Sequence, residues 1–85
     1  MTAMAEENNP LPFDAELDAS GLHCPLPILK AKKALMALAS GQILCVTTTD
    51  PGALQDFKRF AQQTGNTLLQ QTTQGDATIH WLRRR

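Results

Sequence analysis

The residue best suited to chemistry is a cysteine that stands between a glycine and two prolines. Cys24 lies in the segment GLHCPLP at residues 21–27. Proline is tolerated in the first turn of a helix, because the leading N–H groups there have no intrahelical partner. The prolines therefore predict that a helix starts beside Cys24. The positive end of a helix favours thiolate over thiol, so we expect Cys24 to be a nucleophile with a lowered pKa.

The reactions open to this cysteine are limited by what stands near it. Acyl transfer needs a positioned base, but His23 is its direct neighbour and His80 is far along the chain. A thioredoxin-type pair needs a second cysteine where Pro27 stands. The chemistry left is that of a single thiolate, which could carry a group, pass on a sulfur or respond to an oxidant through a sulfenic acid. Cys45 is interpreted as strand packing rather than as a resolving thiol.

Composition excludes several classes of protein. The 85 residues suffice for one domain, and no apolar run is long enough to span a membrane. The start of the chain lacks the features of a signal peptide, and two cysteines do not make a disulfide scaffold, so we expect a cytoplasmic protein. The cysteines and histidines have no zinc-ligand spacing, and we expect neither a metal nor a cofactor.

The net charge of zero conceals an uneven distribution. Residues 1–18 carry five acids and no base, whereas residues 19–85 carry eight bases and three acids. A basic surface could attract RNA or an acidic protein, so a binding domain stays open as an alternative to a thiol protein. His80 and the terminal arginines at 83–85 are interpreted as solvated, and we expect a monomer without direct nucleic-acid binding.

The remaining pattern predicts the elements that position the cysteine. Residues 1–13 are expected to form a flexible tail and residues 14–85 a single domain. The predicted elements are a strand at 15–19, a helix at 28–39, a strand at 42–49, a helix after Asp50-Pro51, and strands at 67–73 and 77–83. Asp50 is interpreted as the N-cap of the second helix.

Apolar spacing predicts which side chains these elements bury. The first helix should bury Ile28, Ala31, Leu35 and Leu38, and the second should bury Leu54, Phe57, Phe60 (or Ala61) and Thr64. Leu44 and Val46 should face the helices, and Trp81 is expected in the core. The order β-α-β-α-β-β predicts an α+β, two-layer sandwich with both helices on one face of a four-stranded mixed sheet.

The segment from Leu17 to Pro27, LDASGLHCPLP, resembles the signature of the TusA family, also called the SirA or YedF group. Members share L-D-x-x-G-x-x-C-P-x-P, and the later Gly41 and the Asp50-Pro51 pair fall where the family has a glycine and a D-P element. The similarity spans residues 16–84. It implies the same two-layer fold.

The resemblance also implies a function and a set of site residues. It implies a sulfur carrier with a persulfide on Cys24, loaded by a cysteine desulfurase or rhodanese-like donor and unloaded by an acceptor protein, in the best-known case toward tRNA thiolation. The residues that would support the cysteine are those of its own motif: Gly21, His23, Pro25, Leu26 and Pro27. Members that serve tRNA thiolation have an acidic residue where Leu26 stands and often an arginine at position 23, so a different choice of partner is expected here.

Overall fold

The computed structural model describes residues 11–85, so most of the expected tail lies outside the described residues. The elements are β1 (Ala15–Ala19), α1 (Leu26–Met36), β2 (Ile43–Thr48), α2 (Ala53–Thr64), β3 (Thr67–Gln74) and β4 (Ala77–Arg83). Their order is the one expected from the sequence. Both helix starts differ from expectation: α1 begins two residues earlier than the apolar spacing suggested and ends at Met36, and α2 begins after Gly52.

A four-stranded mixed sheet forms one layer of the molecule. The strand order is β1-β2-β4-β3, with β1 parallel to β2 and the other neighbours antiparallel. The parallel pair results from the crossover through α1, since parallel neighbours need a long connection. The carboxyl ends of β1 and β2 therefore lie at the same edge of the sheet, and each continues into a loop that enters a helix. This edge positions the candidate site.

The core lies between the sheet and both helices. As expected, Leu44 and Val46 face the helices and are fully buried together with Phe57 and Leu82. Complete burial of side chains of this size contributes about 1.5–3 kcal/mol each to the folding free energy. Two corrections concern the helix faces. On α1, Pro27 is buried although it was not expected to be, while Ile28 packs against the core and is only half-buried. On α2, Leu54 is exposed because Ala53 takes the buried position at the start of the helix.

The opposite sheet face carries the side chains that alternate with those of the core. Cys45 pairs with Trp81 across the antiparallel strands, and both side chains are buried. Trp81 is thus buried as expected, although it is outside the cluster that the helices cover. Burial raises the pKa of the Cys45 thiol, and the nearby Glu16 carboxylate adds to that shift. Cys45 therefore favours the neutral thiol, as expected of a packing residue.

His80 corrects the expectation that it is solvated. Its side chain is completely buried and stacks on Phe57 at a centroid distance of 4.3 Å. Gln71 donates Nε2–H both to the Leu54 carbonyl and to His80 Nδ1, so the ring proton is on Nε2, 2.9 Å from Thr48 Oγ1. Burial lowers the pKa of His80 to about 4. Gln71 thus ties the first turn of α2 to the sheet, and the neutral His80 ring is its second acceptor.

Candidate functional site

Cys24 lies in the loop between β1 and α1, and its side chain is exposed. The next residue, Pro25, is the N-cap of α1, so the sequence correctly placed the cysteine beside a helix start. The turn is closed by the Leu26 N–H, which donates to the His23 carbonyl at 2.8 Å. Pro27 anchors the first helical turn, because it is buried while Pro25 and Leu26 are exposed.

Two contacts hold this loop against the loop between β2 and α2. The Gly21 N–H donates to Thr49 Oγ1 at 2.8 Å, and Gly21 has a φ of 80°, in the left-handed region that favours glycine. His23 Nδ1 lies 3.9 Å from Asp50 Oδ1, with His23 largely exposed and Asp50 largely buried. The motif residues Gly21 and His23 therefore act on the second loop, not directly on the thiol.

Two carboxylates converge beside the thiol. A β-carbon at Gly52 would lie 3.4 Å from Asp50 Oδ2 and 3.7 Å from Asp56 Oδ2, so these oxygens flank one exposed glycine. Arg59 Nη1 lies 3.5 Å from Asp56 Oδ1, one turn further along α2. The charges of Asp56, Asp50 and Arg59 all act on the Cys24 thiol. The cysteine thus faces an acidic pair that is partly balanced by one guanidinium.

The electrostatics of the site overturn the expected thiolate. A hydrogen bond to Asp56 is the largest cause that raises the pKa of Cys24, followed by desolvation and by the charges of Asp56 and Asp50. The charge of Arg59 acts in the opposite direction. A thiol is the form that a neighbouring carboxylate favours, since it can donate a proton while a thiolate is repelled. Cys24 therefore rests as a thiol.

The start of α1 explains why the helix does not reverse this effect. A helix leaves its first N–H groups free to bind an anion. Here Pro25 and Pro27 have no N–H, and the Leu26 N–H is used by the His23 carbonyl. Of the residues from the N-cap to the third helical position, only Ile28 keeps an amide for the sulfur. The prolines that place the helix start thus also remove the amides on which the thiolate prediction depended.

Asp56 is the site residue that the sequence analysis missed, and Asp50 was assigned the wrong role. The N-cap of α2 is Gly52, no side chain caps that helix, and only the Asp50 carbonyl accepts the Ala53 N–H. A signal for both was present in the predicted β-α-β order. Loops that follow parallel neighbouring strands lie at one sheet edge. Acidic residues just after the second strand are therefore expected beside Cys24.

The surface around the thiol is open and partly apolar. Leu26 is 46% exposed and Leu29 54% exposed, both within the first turns of α1. Two surface grooves of about 470 and 420 Å³ are lined by residues of the helices, β3 and the carboxyl-terminal segment, and neither includes Cys24. An exposed thiol with apolar neighbours suits contact with another protein better than enclosure of a small substrate.

Two of the terminal arginines have structural roles, and the described part of the chain does not assemble a set of metal ligands. Arg84 Nη1 donates to the Leu38 carbonyl after α1, and the Arg85 N–H donates to Asn66 Oδ1, so two of the three terminal arginines hold the chain end in place. Within residues 11–85, no group of three or more His, Cys, Asp or Glu side chains is arranged to hold a metal ion. In the same range, no helix is long and apolar enough to cross a membrane.

Comparison with known proteins identifies relatives across nearly the whole described chain. Residues 15–84 match the family model described as Sulfurtransferase TusA. The chain is 59% identical over 70 residues to the sulfur carrier protein TusA of Allochromatium vinosum, covering 82% of this chain and 91% of that protein. It is 46% identical over 71 residues to the putative sulfur carrier protein YrkI of Bacillus subtilis, covering 84% and 95%.

A solved structure gives the same result for the fold. The crystal structure of a SirA-like protein from Desulfitobacterium hafniense matches with a TM-score of 0.70 at 25% identity, covering 82% of this chain and 95% of that one. Its agreement extends over the sheet and both helices, which is the two-layer arrangement that positions Cys24. Sequence and structure together show that the chain belongs to the TusA family.

Proposed function

We propose that this protein is a sulfur carrier, which accepts sulfane sulfur as a persulfide on Cys24 and relays it to an acceptor protein. The observation that carries the proposal is the exposed thiol at the start of α1, the one exposed cysteine of residues 11–85. Two of the relatives are named as sulfur carriers, one of them provisionally. A carrier needs only a nucleophile that partners can reach, so neither a positioned base nor a substrate cavity is required.

The protonation of Cys24 favours this function over a redox sensor. Sensor cysteines react with peroxide as thiolates, and they are therefore exposed residues of low pKa. The carboxylates of Asp56 and Asp50 raise the pKa of Cys24 instead. Cys45, the candidate resolving thiol, is buried on the sheet face away from the helices. Both features disfavour a redox sensor.

We propose two partners for the exposed thiol, a sulfur donor and a sulfur acceptor. The donor is a protein persulfide, as on a cysteine desulfurase or a rhodanese-like enzyme, and the acceptor is a second protein. Leu26 and Leu29 give both partners an apolar surface beside the sulfur. We propose that a monomer does this in the cytoplasm as a carrier, not as an enzyme that turns over small molecules. Leu26 carries no charge beside the sulfur, and the acceptor pathway could be tRNA thiolation, sulfur oxidation or cofactor synthesis.

Loading of the intact protein tests the proposal. After incubation with a cysteine desulfurase and cysteine, mass spectrometry should show one added sulfur atom that a reductant removes. Cys24→Ser should abolish the addition, while Cys45→Ser, the matched control, should load like the wild type. A wild-type protein that gains no sulfur from a desulfurase, a rhodanese-like donor or inorganic polysulfide would contradict the proposal.

A further inference from the structure

The sheet has two free long sides, and they differ in length and charge. β1 lies at one side, and its five residues include Glu16 and Asp18. β3 lies at the other side, and its eight residues, TLLQQTTQ, include neither a charged residue nor a proline. Folded proteins protect a free strand from unwanted pairing with charges, with prolines or by keeping it short. The free side of β3, which we call the β3 edge, has none of these protections.

The backbone of the β3 edge is regular enough to pair with another strand. Residues 70–74 pair in unbroken antiparallel register with residues 77–81 of β4. Alternate residues of such a strand direct their N–H and C=O groups away from the neighbouring strand. Within residues 11–85, β3 pairs with β4 only, so these outward groups face no other strand. A register shift between Leu68 and Gln70 ends the regular stretch.

A groove lies beside the β3 edge, close to this register shift. Its volume is about 420 Å³, and it is lined by one face of α2 and the start of β3: Lys58, Ala61, Gln62, Asn66, Thr67 and Leu68. Because no residue of α1 or β4 is among these lining residues, the groove opens on the outer side of β3. Lys58 is the charged residue of this lining, which includes no carboxylate.

We propose that the β3 edge binds an extended segment of a partner protein, which adds a fifth strand to the sheet and places an acidic side chain in the groove beside Lys58. When a strand is added to a sheet edge, backbone hydrogen bonds supply the affinity and side-chain pockets supply the specificity. Residues 70–74 provide the backbone groups, and the groove provides the pocket. The cationic lining complements an acidic residue.

The same charge disfavours a second copy of this chain as the occupant. Two copies that paired through β3 around a twofold axis would present the same strand and the same groove to each other. This pairing would bring two Lys58 side chains to one interface, with no carboxylate in the lining of either groove. Like charges across an interface oppose association, whereas a partner with an acidic residue meets an opposite charge.

The groove is distant from the thiol, so a partner bound there leaves Cys24 exposed. Thr67, at the groove, is in register with Arg83, and Arg83 pairs with Ile43 at the first residue of β2. Cys24 instead follows the carboxyl end of β1, which runs parallel to β2. The groove and the thiol therefore lie at opposite ends of the sheet. The inference does not depend on the sulfur-carrier function.

NMR titration of the labelled protein with synthetic peptides tests the site. The probe is a peptide as long as β3, of alternating threonine and valine with one central glutamate, and two related peptides carry glutamine or lysine in place of the glutamate. The glutamate peptide should shift the amide signals of residues 66–74. Its dissociation constant should rise about two- to fivefold with glutamine and further with lysine, as expected for an exposed ion pair.

Backbone N-methylation of the glutamate peptide distinguishes strand addition from occupation of the groove alone. An extended peptide has two edges, and methyl groups at alternate residues block the hydrogen bonds of one edge. Methylation of the edge that pairs with β3 should abolish the amide shifts, and methylation of the other edge should preserve them.

Two variants test the role of Lys58. Lys58→Glu should reverse the order of affinity, so that the lysine peptide binds more tightly than the glutamate peptide. Lys30→Gln, which removes an exposed lysine of α1 that does not line the groove, is the matched control and should preserve the original order. A merely structural role for Lys58 would weaken the binding of all three peptides alike.

Three outcomes would overturn the proposal. The first is that no peptide shifts the amide signals of β3 at millimolar concentration. The second is that the three peptides bind equally, or that both methylation patterns are tolerated. The third is a dimer of the protein alone, detected by sedimentation equilibrium and accompanied by shifts of the β3 signals as the protein concentration rises, because the occupant would then be a second copy.

Discussion

Cys24, in the exposed loop before α1, and His80, in the buried layer beneath α2, are both neutral, but for different physical reasons. Cys24 is exposed, and the carboxylates of Asp56 and Asp50 raise its pKa. His80 is completely buried, and desolvation lowers its pKa to about 4. Charges that face water can be screened, replaced or offset by a partner, whereas burial changes only when the core opens. The first region can therefore be regulated and the second cannot.

The two regions are joined at the first turn of α2. Gln71 bonds both the His80 ring and the Leu54 carbonyl, two residues before Asp56. The neutral imidazole thus stabilises the turn from which Asp56 reaches the thiol. The buried region therefore fixes the position of the turn that carries Asp56, whereas the thiol end remains open to salt and to partners.

The largest expected effect concerns His80. Its pKa is lowered on folding, so the unfolded chain binds the proton more tightly and the stability contributed by the neutral ring is lost as the pH falls. Because the pKa is about 4 in the folded state against 6.5 for an ordinary histidine, the loss should reach about 3 kcal/mol across that window. Urea unfolding of the wild type at several pH values between 7 and 4 measures it.

His80→Gln supplies the comparison for this measurement. It should be less stable than the wild type at pH 7, because the stacking on Phe57 is lost, but its stability should change little between pH 7 and 4. If the free energy of unfolding fell equally with pH in both proteins, protonation of the buried His80 ring would not be the cause of the loss.

An effect of intermediate size is expected where the two loops meet. Thr49→Val removes the acceptor of the Gly21 N–H, a hydrogen bond of 2.8 Å, and should cost about 1 kcal/mol of unfolding free energy. It should also loosen the loop of Cys24 from that of Asp50, so the pH midpoint of Cys24 alkylation by iodoacetamide should fall. Thr73→Val, on the exposed part of β3, is the matched control. A loss of stability with an unchanged midpoint would show that this bond does not align the thiol.

The sequence predicted the sheet face on which side chains lie better than it predicted which ionisable side chains are neutral. Alternation along β2 correctly assigned Leu44 and Val46 to the face that the helices cover. The burial of His80 was not predicted, because its partners Gln71 and Thr48 come from two other strands. A polar residue in a strand signals solvent unless its cross-strand partners are known.

The position of the candidate site was likewise predicted better than the protonation state of its thiol. Cys24 was identified and placed beside a helix start from the prolines alone, a local effect that needs no tertiary contact. The protonation state was predicted wrongly, since it depends on Asp56, 32 positions away in sequence. Local rules also assigned Asp50 to capping, whereas its side chain points toward the site that the parallel strands assemble.

The smallest expected effect distinguishes most directly between the charges that act on Cys24 and the desolvation that acts on His80. Raising the ionic strength from 0.01 to 1 M shortens the Debye length from about 30 to about 3 Å, which weakens the action of the partly exposed carboxylates of Asp56 and Asp50 on the exposed thiol. The midpoint of Cys24 alkylation should therefore move down by a fraction of a pH unit. The pH midpoint for protonation of His80, followed by NMR of the imidazole, should stay in place, because desolvation by the core does not depend on salt. A salt-dependent His80 midpoint would imply that charges rather than burial keep the ring neutral. A Cys24 midpoint that ignores salt would mean that its hydrogen bond with Asp56, rather than the combined charge of the acidic pair, sets the protonation of the thiol.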